Sequence, residues 1–155
     1  VIVWFQNESS GTNYSGEVVK SITKSALNIL SKDTEKVNST PYVLNNYMNQ
    51  STQYVEGILK KHSLTPVVIG DGSTVIGQYP SGTTEVTTGS KVLVLTDGQK
   101  YTMPSMLGWS RKEAEAFASL TGVEIKMNGL GSIYAQSITK GTELKQGTVI
   151  ELYAK

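Results

Sequence analysis

The sequence predicts an α+β fold built from two copies of one small unit. Residues 44–95 and 103–153 match each other at a spacing of 59, which falls to 58 near their ends. Each copy contains one stretch of helical periodicity and three short β-type stretches, two of them separated by a glycine pair. A period of this length is typical of a supersecondary unit used in tandem. Units this small usually serve as binding or spacer modules, because neither copy can enclose an active site.

The matched positions share residue type and place in the unit. At a spacing of 59 they pair Asn49 with Gly108, Ser51 with Ser110, Val55 with Ala114, Glu56 with Glu115, Ile58 with Phe117, Leu64 with Val123, Gly70 with Gly129, Gly72 with Gly131, Ser73 with Ser132 and Gly82-Thr83 with Gly141-Thr142. Gly89-Ser90 pairs with Gly147-Thr148 at a spacing of 58. We therefore expect the second copy to lack one residue between these last two pairs.

Each copy is predicted to form one helix packed on a three-stranded sheet. Ser51 and Ser110 are suitable N-caps, and Ser110 forms a capping box with Glu113 three residues later. The helix positions expected to face the sheet are Val55, Ile58 and Leu59 in the first copy and Ala114, Phe117 and Ala118 in the second. The predicted strands are residues 65–69, 73–79 and 91–95, then 124–127, 132–138 and 148–153, with extended stretches at 44–48 and 103–107.

The start of the chain, residues 1–32, has a different pattern. Residues 1–5 form an apolar run typical of a strand buried on both faces, and helical periodicity follows from about residue 15. Such a strand needs neighbours on both sides, so we expect residues 1–32 to be the last strand and helix of a larger domain. Residues 33–41 are polar, end in proline and read as a linker. Residues 42–98 and 99–155 then hold the two repeats.

Composition excludes several classes of function. Charged residues make up 17% of the chain and the formal net charge is +1, which does not favour a nucleic-acid partner. The chain has no cysteine and one histidine, so we expect no disulfide and no metal site. As binding or positioning modules, the repeats are expected to need no cofactor. It contains no apolar run of the roughly 18 residues that would span a bilayer.

The start of the second copy carries a family resemblance. Met103-Pro104-Ser105-Met106-Leu107-Gly108-Trp109-Ser110, followed by Glu113-Ala114 and Gly129-Leu130-Gly131-Ser132, resembles the PASTA domain. That pattern has a Val-Pro-Asp-like opening, a glycine, a small cap, a helix with alanine and a Gly-x-Gly-Ser turn. The Gly-Trp-Ser step is similar to the second PASTA repeat of division-type class B penicillin-binding proteins. The first copy departs from the pattern, because Asn45 replaces the proline and Asn49 the glycine.

The resemblance extends to residues 1–32, which are similar to the final strand and helix of the penicillin-binding transpeptidase domain. It implies a serine D,D-transpeptidase that cross-links peptidoglycan through D-Ala-D-Ala stem peptides. It also implies a parent protein anchored in the membrane, facing outward, at the division site of a Gram-positive bacterium. The implied partners are the missing transpeptidase body, peptidoglycan or muropeptides, and division proteins.

No catalytic residue is predicted in this chain. Family transpeptidases use Ser-x-x-Lys, Ser-x-Asn and Lys-Thr-Gly motifs, and Ser-x-x-Lys occurs here at Ser21–Lys24 and Ser137–Lys140. Ser21 falls in mid-helix, and Ser137 falls on a predicted strand, where residues three apart point to opposite faces. Ser-x-Asn is absent from the sequence, and residues 140–142 read Lys-Gly-Thr. A serine without such partners is not activated as a nucleophile.

Two small sets of residues are candidates for binding. Trp109 and Arg111 lie at the start of the second helix, and an aromatic with a cation is a common hot-spot composition. A saccharide could stack on Trp109, if it is exposed, while a carboxylate pairs with Arg111; the alternative is that Trp109 packs over the helix start. In the first copy, the short amides expected to hydrogen-bond across a wet interface with the transpeptidase body are Asn45, Asn46, Asn49 and Gln50.

Three functional hypotheses are consistent with the sequence. The first is the non-catalytic C-terminal part of a penicillin-binding transpeptidase, whose repeats dock on the catalytic domain or bind peptidoglycan. The second is a muropeptide-sensing array outside a membrane kinase, although such kinases place a transmembrane segment where residues 1–32 show a strand and an amphipathic helix. The third is a structural pedestal that recruits division partners.

Overall fold

The computed structural model describes residues 41–155, so the predicted transpeptidase end at residues 1–32 and most of the linker lie outside the described part. Within the described residues, each repeat contains one helix and five strands, in the same order. In the first repeat they are β1 (Tyr42–Val43), α1 (Thr52–Lys61), β2 (Thr65–Ile69), β3 (Val75–Tyr79), β4 (Glu85–Val86) and β5 (Lys91–Thr96). In the second they are β6 (Tyr101–Thr102), α2 (Arg111–Thr121), β7 (Glu124–Gly129), β8 (Ile133–Gln136), β9 (Glu143–Leu144) and β10 (Val149–Ala154).

Each repeat contains the predicted helix and three-stranded sheet. The strand orders are β2-β5-β3 and β7-β10-β8, so the last strand of each repeat lies in the middle of its sheet. That central strand pairs in parallel with the first strand and antiparallel with the second. The short ribbons β1-β4 and β6-β9 were not predicted. The predicted extended stretches 44–48 and 103–107 are not strands, because pairing is confined to the two residues just before each of them.

The predicted helix caps are present in both repeats. The Ser51 side chain accepts a hydrogen bond from the N–H of Tyr54, and Ser110 accepts from the N–H of Glu113. The Glu113 carboxylate in turn accepts from the Ser110 N–H at 2.7 Å, which completes the capping box. These bonds satisfy N–H groups that the first helical turn leaves without partners.

The two repeats align differently from the sequence prediction in one place. The Val75 carbonyl accepts from the Asn49 N–H in the first repeat, and the Ile133 carbonyl accepts from the Gly108 N–H in the second. Ile133 is therefore equivalent to Val75 at a spacing of 58, so the missing residue lies in the preceding glycine turn. The expected pairing of Gly72 with Gly131 is wrong, because Gly131 has φ +100° while Gly72 does not take a positive φ.

The same shift corrects a second pairing, near the loop that follows β3 and β8. Gly141 donates its N–H to the Met103 carbonyl, as Thr83 does to the Leu44 carbonyl, and both residues have positive φ. The structural equivalent of Gly141 is therefore Thr83, and the predicted partner Gly82 is wrong. Gly70 and Gly129, with φ of +102° and +94°, are equivalent as predicted.

Helix α2 packs on the sheets of both repeats. In β5 the buried residues alternate between two apolar clusters: Val92 and Val94 pack with α1, whereas Leu93 and Leu95 pack in the cluster that contains Phe117 of α2. A Cβ placed on Gly77 of β3 would lie 3.0 Å from the Leu120 side chain of α2. The first sheet is therefore covered on both faces, and residues 39–155 form one compact unit.

Within residues 41–155, the second sheet is covered on one face only. Its central strand β10 alternates between buried and exposed residues, with Glu151 and Tyr153 at the positions that Leu93 and Leu95 occupy in β5. The sequence therefore distinguishes the sheet that receives a second helix from the one that faces water. This distinction lies in two equivalent positions of strands of the same length, where Leu93 and Leu95 are replaced by Glu151 and Tyr153.

Candidate functional site

Trp109 is buried rather than exposed, which removes it as a stacking surface. Its side chain retains 3% of its accessible area and packs edge-on against Phe117, with 6.3 Å between ring centroids. The packing alternative is therefore the one observed, and the exposed ring on which saccharide stacking depended is not present. The physical reason is the position of Trp109 directly before α2, where the helix and the first sheet close over it.

Arg111 lies on the surface and makes two long contacts. One guanidinium nitrogen is 3.5 Å from the Gly129 carbonyl oxygen, and the other is 3.8 Å from the Glu115 carboxylate, whose side chain is more than half exposed. An exposed pair one helical turn apart contributes only about 0.3–0.5 kcal/mol. The structure does not join Arg111 to an open aromatic face, and a ligand role for Arg111 alone remains a prediction.

The four amide residues at the start of the first repeat are all exposed. Asn49 has φ +62° where Gly108 has +76°, so asparagine replaces glycine at a left-handed position that it tolerates better than most residues. The Asn46 side chain accepts from the Met48 N–H at 3.0 Å, and Asn45 lies 3.5 Å from the Tyr42 hydroxyl. Gln50 uses its backbone to pair with Val75, which leaves its side chain at the surface. Docking through these residues remains untested.

Two equivalent glutamines, which were not predicted from the sequence, each hold the opening loop of one repeat. Gln78 accepts from the Tyr47 N–H at 2.6 Å and donates to the Asn45 and Pro80 carbonyls, both at 3.1 Å. Gln136 accepts from the Met106 N–H at 2.8 Å and donates to the carbonyls of Pro104 at 3.2 Å and Ile138 at 2.7 Å. The available signal was their recurrence at a spacing of 58, the same as that of Val75 and Ile133.

Local contacts shift the pKa values of two groups in the first repeat. Burial raises the pKa of the Tyr47 phenol well above its ordinary value, and its contact with the Tyr42 hydroxyl at 3.3 Å adds to the shift. The Thr74 N–H donates to the Asp97 carboxylate at 3.0 Å, which lowers the pKa of that exposed carboxyl. Both groups form their hydrogen bonds with residues of the first repeat.

A groove of about 480 Å³ is lined by residues of both repeats. One wall is β2, and the other is the opening of the second repeat, including Pro104 and Trp109. Lys91 of β5 also lines the groove and forms an ion pair with Glu113 of α2 at 3.3 Å. Both side chains are largely buried. Lys140 is exposed at the same groove. We call this surface the inter-repeat groove.

In the Ser-x-x-Lys match at residues 137–140, the serine has a structural role. The Ser137 hydroxyl accepts from the Glu151 N–H at 3.0 Å, and Ser137 also donates its own N–H to the Glu151 carbonyl. Strand β8 ends at Gln136, one residue earlier, so the predicted location of Ser137 within the strand is wrong by this margin. The other match, Ser21–Lys24, lies outside the described residues.

Within residues 41–155, no group of three or more His, Cys, Asp or Glu side chains could hold a metal ion. Neither described helix has the length and apolar character needed to cross a membrane.

Comparisons with known proteins agree with this architecture. The family model described as PASTA domain matches residues 42–98 and 101–154. The chain belongs to the PASTA domain family. PASTA domains are typical of penicillin-binding proteins and of Ser/Thr kinases, and the resemblance predicted from the opening of the second repeat is confirmed.

A solved structure with the same fold is penicillin-binding protein 2X from Streptococcus thermophilus. It is 20% identical, with a TM-score of 0.69, and the match covers 90% of this chain but 21% of that protein. The extracellular region of the Ser/Thr kinase PrkC from Staphylococcus aureus matches at 25% identity and a TM-score of 0.30, covering 72% of this chain and 46% of that one. A three-PASTA-domain structure of a Ser/Thr kinase from Staphylococcus aureus matches at 27% identity and a TM-score of 0.29, with coverages of 75% and 65%.

Proposed function

We propose that this chain is the non-catalytic C-terminal part of a penicillin-binding D,D-transpeptidase. In this proposal the catalytic body precedes residue 1, the protein is anchored in the membrane, and both PASTA repeats lie on the outer side. The observation that best supports this proposal is the similarity to penicillin-binding protein 2X, which covers 90% of the chain at a TM-score of 0.69.

The packing of the repeats supports a role as a rigid support. Because α2 covers the first sheet and the Lys91–Glu113 pair lies at this contact, a load on one repeat is transmitted to the other. The first repeat follows the short linker at residues 33–41 and would dock on the catalytic body. Its exposed amides Asn45, Asn46, Asn49 and Gln50 suit a wet, hydrogen-bonded interface. The second repeat would project outward and contact peptidoglycan or division proteins.

Docking can be tested by mixing the chain with a separately purified transpeptidase body from the same protein. Calorimetry should detect binding, and Asn49→Gly with Gln50→Ala should weaken it at least fivefold. Asn49→Gly keeps the positive φ of this position, so the loop should retain its shape. Arg111→Ala in the second repeat is the control and should leave the affinity unchanged. If the double variant Asn49→Gly/Gln50→Ala bound the body as tightly as the Arg111→Ala control, docking through the amides would be refuted.

The non-catalytic assignment has a direct test. The chain alone should neither hydrolyse a fluorescent penicillin nor retain it covalently, and Ser21→Ala should change nothing. Covalent labelling that disappears in Ser21→Ala would contradict the proposal, because it would identify this serine as an activated nucleophile.

The residues encoded upstream of Val1 distinguish the proposal from the kinase alternative. Ser-x-x-Lys, Ser-x-Asn and Lys-Thr-Gly in that order would support a transpeptidase. A transmembrane segment preceded by kinase motifs would instead support a sensing array. Binding of a muropeptide, followed by amide NMR shifts at residues 108–111, would favour peptidoglycan recognition over a purely structural pedestal.

A further inference from the structure

The β2 strand has a backbone edge without a partner among the described residues. It is the outer strand of the order β2-β5-β3, and only β5 pairs with it. Thr65 donates its N–H to the Ser90 carbonyl, so the backbone groups of Thr65 point towards β5. Both backbone groups of a residue in a parallel ladder point to the same side, and the side alternates along the strand. The N–H and C=O of Val68 therefore point away from β5.

Pro66 has the same orientation as Val68. Its nitrogen carries no hydrogen, so a proline at this position costs the β2–β5 ladder nothing, which is why an edge strand tolerates it. The free edge consequently offers a donor and an acceptor at Val68 and a further acceptor at Pro66. This set of groups can hydrogen-bond one added extended strand.

The inter-repeat groove lies along this edge. Its lining includes Thr65, Pro66, Val67 and Val68 on one side and Pro104 and Ser105 on the other, so apolar and polar groups both contribute to it. Among the described residues, the ionisable side chains that line it are Lys91 and Lys140. Glu113 neutralises Lys91, whereas no salt bridge is described for Lys140 within residues 41–155. The groove is therefore basic at its exposed end.

We propose that the inter-repeat groove binds an extended acidic peptide segment by strand addition to β2. The segment would donate to the Pro66 and Val68 carbonyls and accept from the Val68 N–H. Its apolar side chains would lie against Val67 and Pro104, and a carboxylate would pair with Lys140. Main-chain bonds supply affinity in this mode of recognition, while side-chain pockets supply selectivity. This site is separate from the amide surface assigned above to docking.

The second repeat provides a matched control for the edge. Met127 occupies in β7 the position of Val68 in β2, at a spacing of 59, and β7 is also an outer strand. Because both residues point their N–H away from the sheet, Val68→Pro and Met127→Pro each remove a free donor without breaking a ladder bond. The residue before each proline is already extended, as proline requires.

The experiment is an NMR titration of the full 155-residue chain. The probe is the blocked hexapeptide acetyl-VEVEVE-amide, and the comparison is acetyl-VKVKVK-amide. We expect the acidic peptide to shift the Val68 amide, to slow its hydrogen exchange at least tenfold, and to bind at least fivefold more tightly than the basic one. Val68→Pro and Lys140→Glu should each weaken binding at least fivefold, whereas Met127→Pro should not.

Several results would overturn the proposal. These are no shift at millimolar peptide, equal binding of the acidic and basic peptides, or loss of binding in Met127→Pro but not in Val68→Pro. If Val68→Pro does not fold, Lys140→Glu and the exchange rate of the Val68 amide in the unmodified chain decide the question. An unchanged rate at saturating peptide then refutes strand addition even if binding occurs.

Discussion

Replacing Gln136 by leucine should destabilise the second repeat more than any surface substitution. The side chain bridges the opening loop and the end of β8 through three hydrogen bonds, at 2.8, 3.2 and 2.7 Å. Leucine has a similar volume but neither donates nor accepts. The Gln136→Leu protein therefore keeps most of the packing and loses only the polar contacts.

The size of the effect follows from these bonds. A typical intramolecular hydrogen bond contributes about 0.5–1.5 kcal/mol net, and a buried group left without a partner costs about 1–3 kcal/mol. Met106 is fully buried, so its N–H finds no water in place of the glutamine oxygen. We expect Gln136→Leu to lower the free energy of unfolding by about 3 kcal/mol.

Gln136→Glu separates the acceptor from the donors. The carboxylate can still accept from the Met106 N–H, but it cannot donate to the Pro104 and Ile138 carbonyls, which then face a negative charge. We expect a loss comparable to that of leucine at neutral pH. Part of it should return in acid, where protonation of the carboxyl restores one donor.

The assay is urea unfolding followed by the fluorescence of Trp109, which is buried beside α2. Trp4→Phe makes Trp109 the only tryptophan, since the chain contains two. Gln53→Leu, on the exposed face of α1, is the control and should change stability by less than about 0.5 kcal/mol. The reasoning is refuted if Gln136→Leu costs no more than this control.

Three further predictions concern packing, pH and backbone. Leu120→Ala should cost about 1–2 kcal/mol and accelerate hydrogen exchange of amides in β5, since Leu120 packs across the repeats; unchanged β5 exchange would contradict one cooperative unit. The raised pKa of Tyr47 keeps its phenol neutral when folded, so its stabilisation is complete below pH about 10 and lost at higher pH. Between pH 9 and 11 the urea midpoint should therefore fall less in Tyr47→Phe than in the unmodified chain. Equal slopes of midpoint against pH in the two proteins would refute this. Gly129→Ala should cost more than Gly147→Ala, because a Cβ at residue 129 clashes with the Ala154 carbonyl whereas residue 147 has open space; thermal unfolding measures both.

Local patterns in the sequence were enough to predict the repeat and its elements. The caps at Ser51 and Ser110 depend on bonds within one helical turn, so sequence alone locates them. Strand β2 was predicted with its observed bounds because apolar and turn residues delimit it. The sequence left open whether Trp109 is packed or exposed, for a related reason. Sequence identifies an aromatic beside a cation, but only packing determines whether that ring is covered.

Contacts between distant residues were decided by the tertiary structure alone. The location of the missing residue depended on which carbonyls accept from the N–H groups of Asn49 and Gly108. In each repeat a whole helix and a whole strand separate donor and acceptor along the sequence. The same holds for the second helix on the first sheet: the apolar residues Leu93 and Leu95 show that this face is buried, but not which element buries it. The sequence by itself determined the family, the repeats and the helix caps, because these depend on neighbouring residues. The inter-repeat groove and the glutamine bridges required the folded chain, because their partners meet only after long loops have closed.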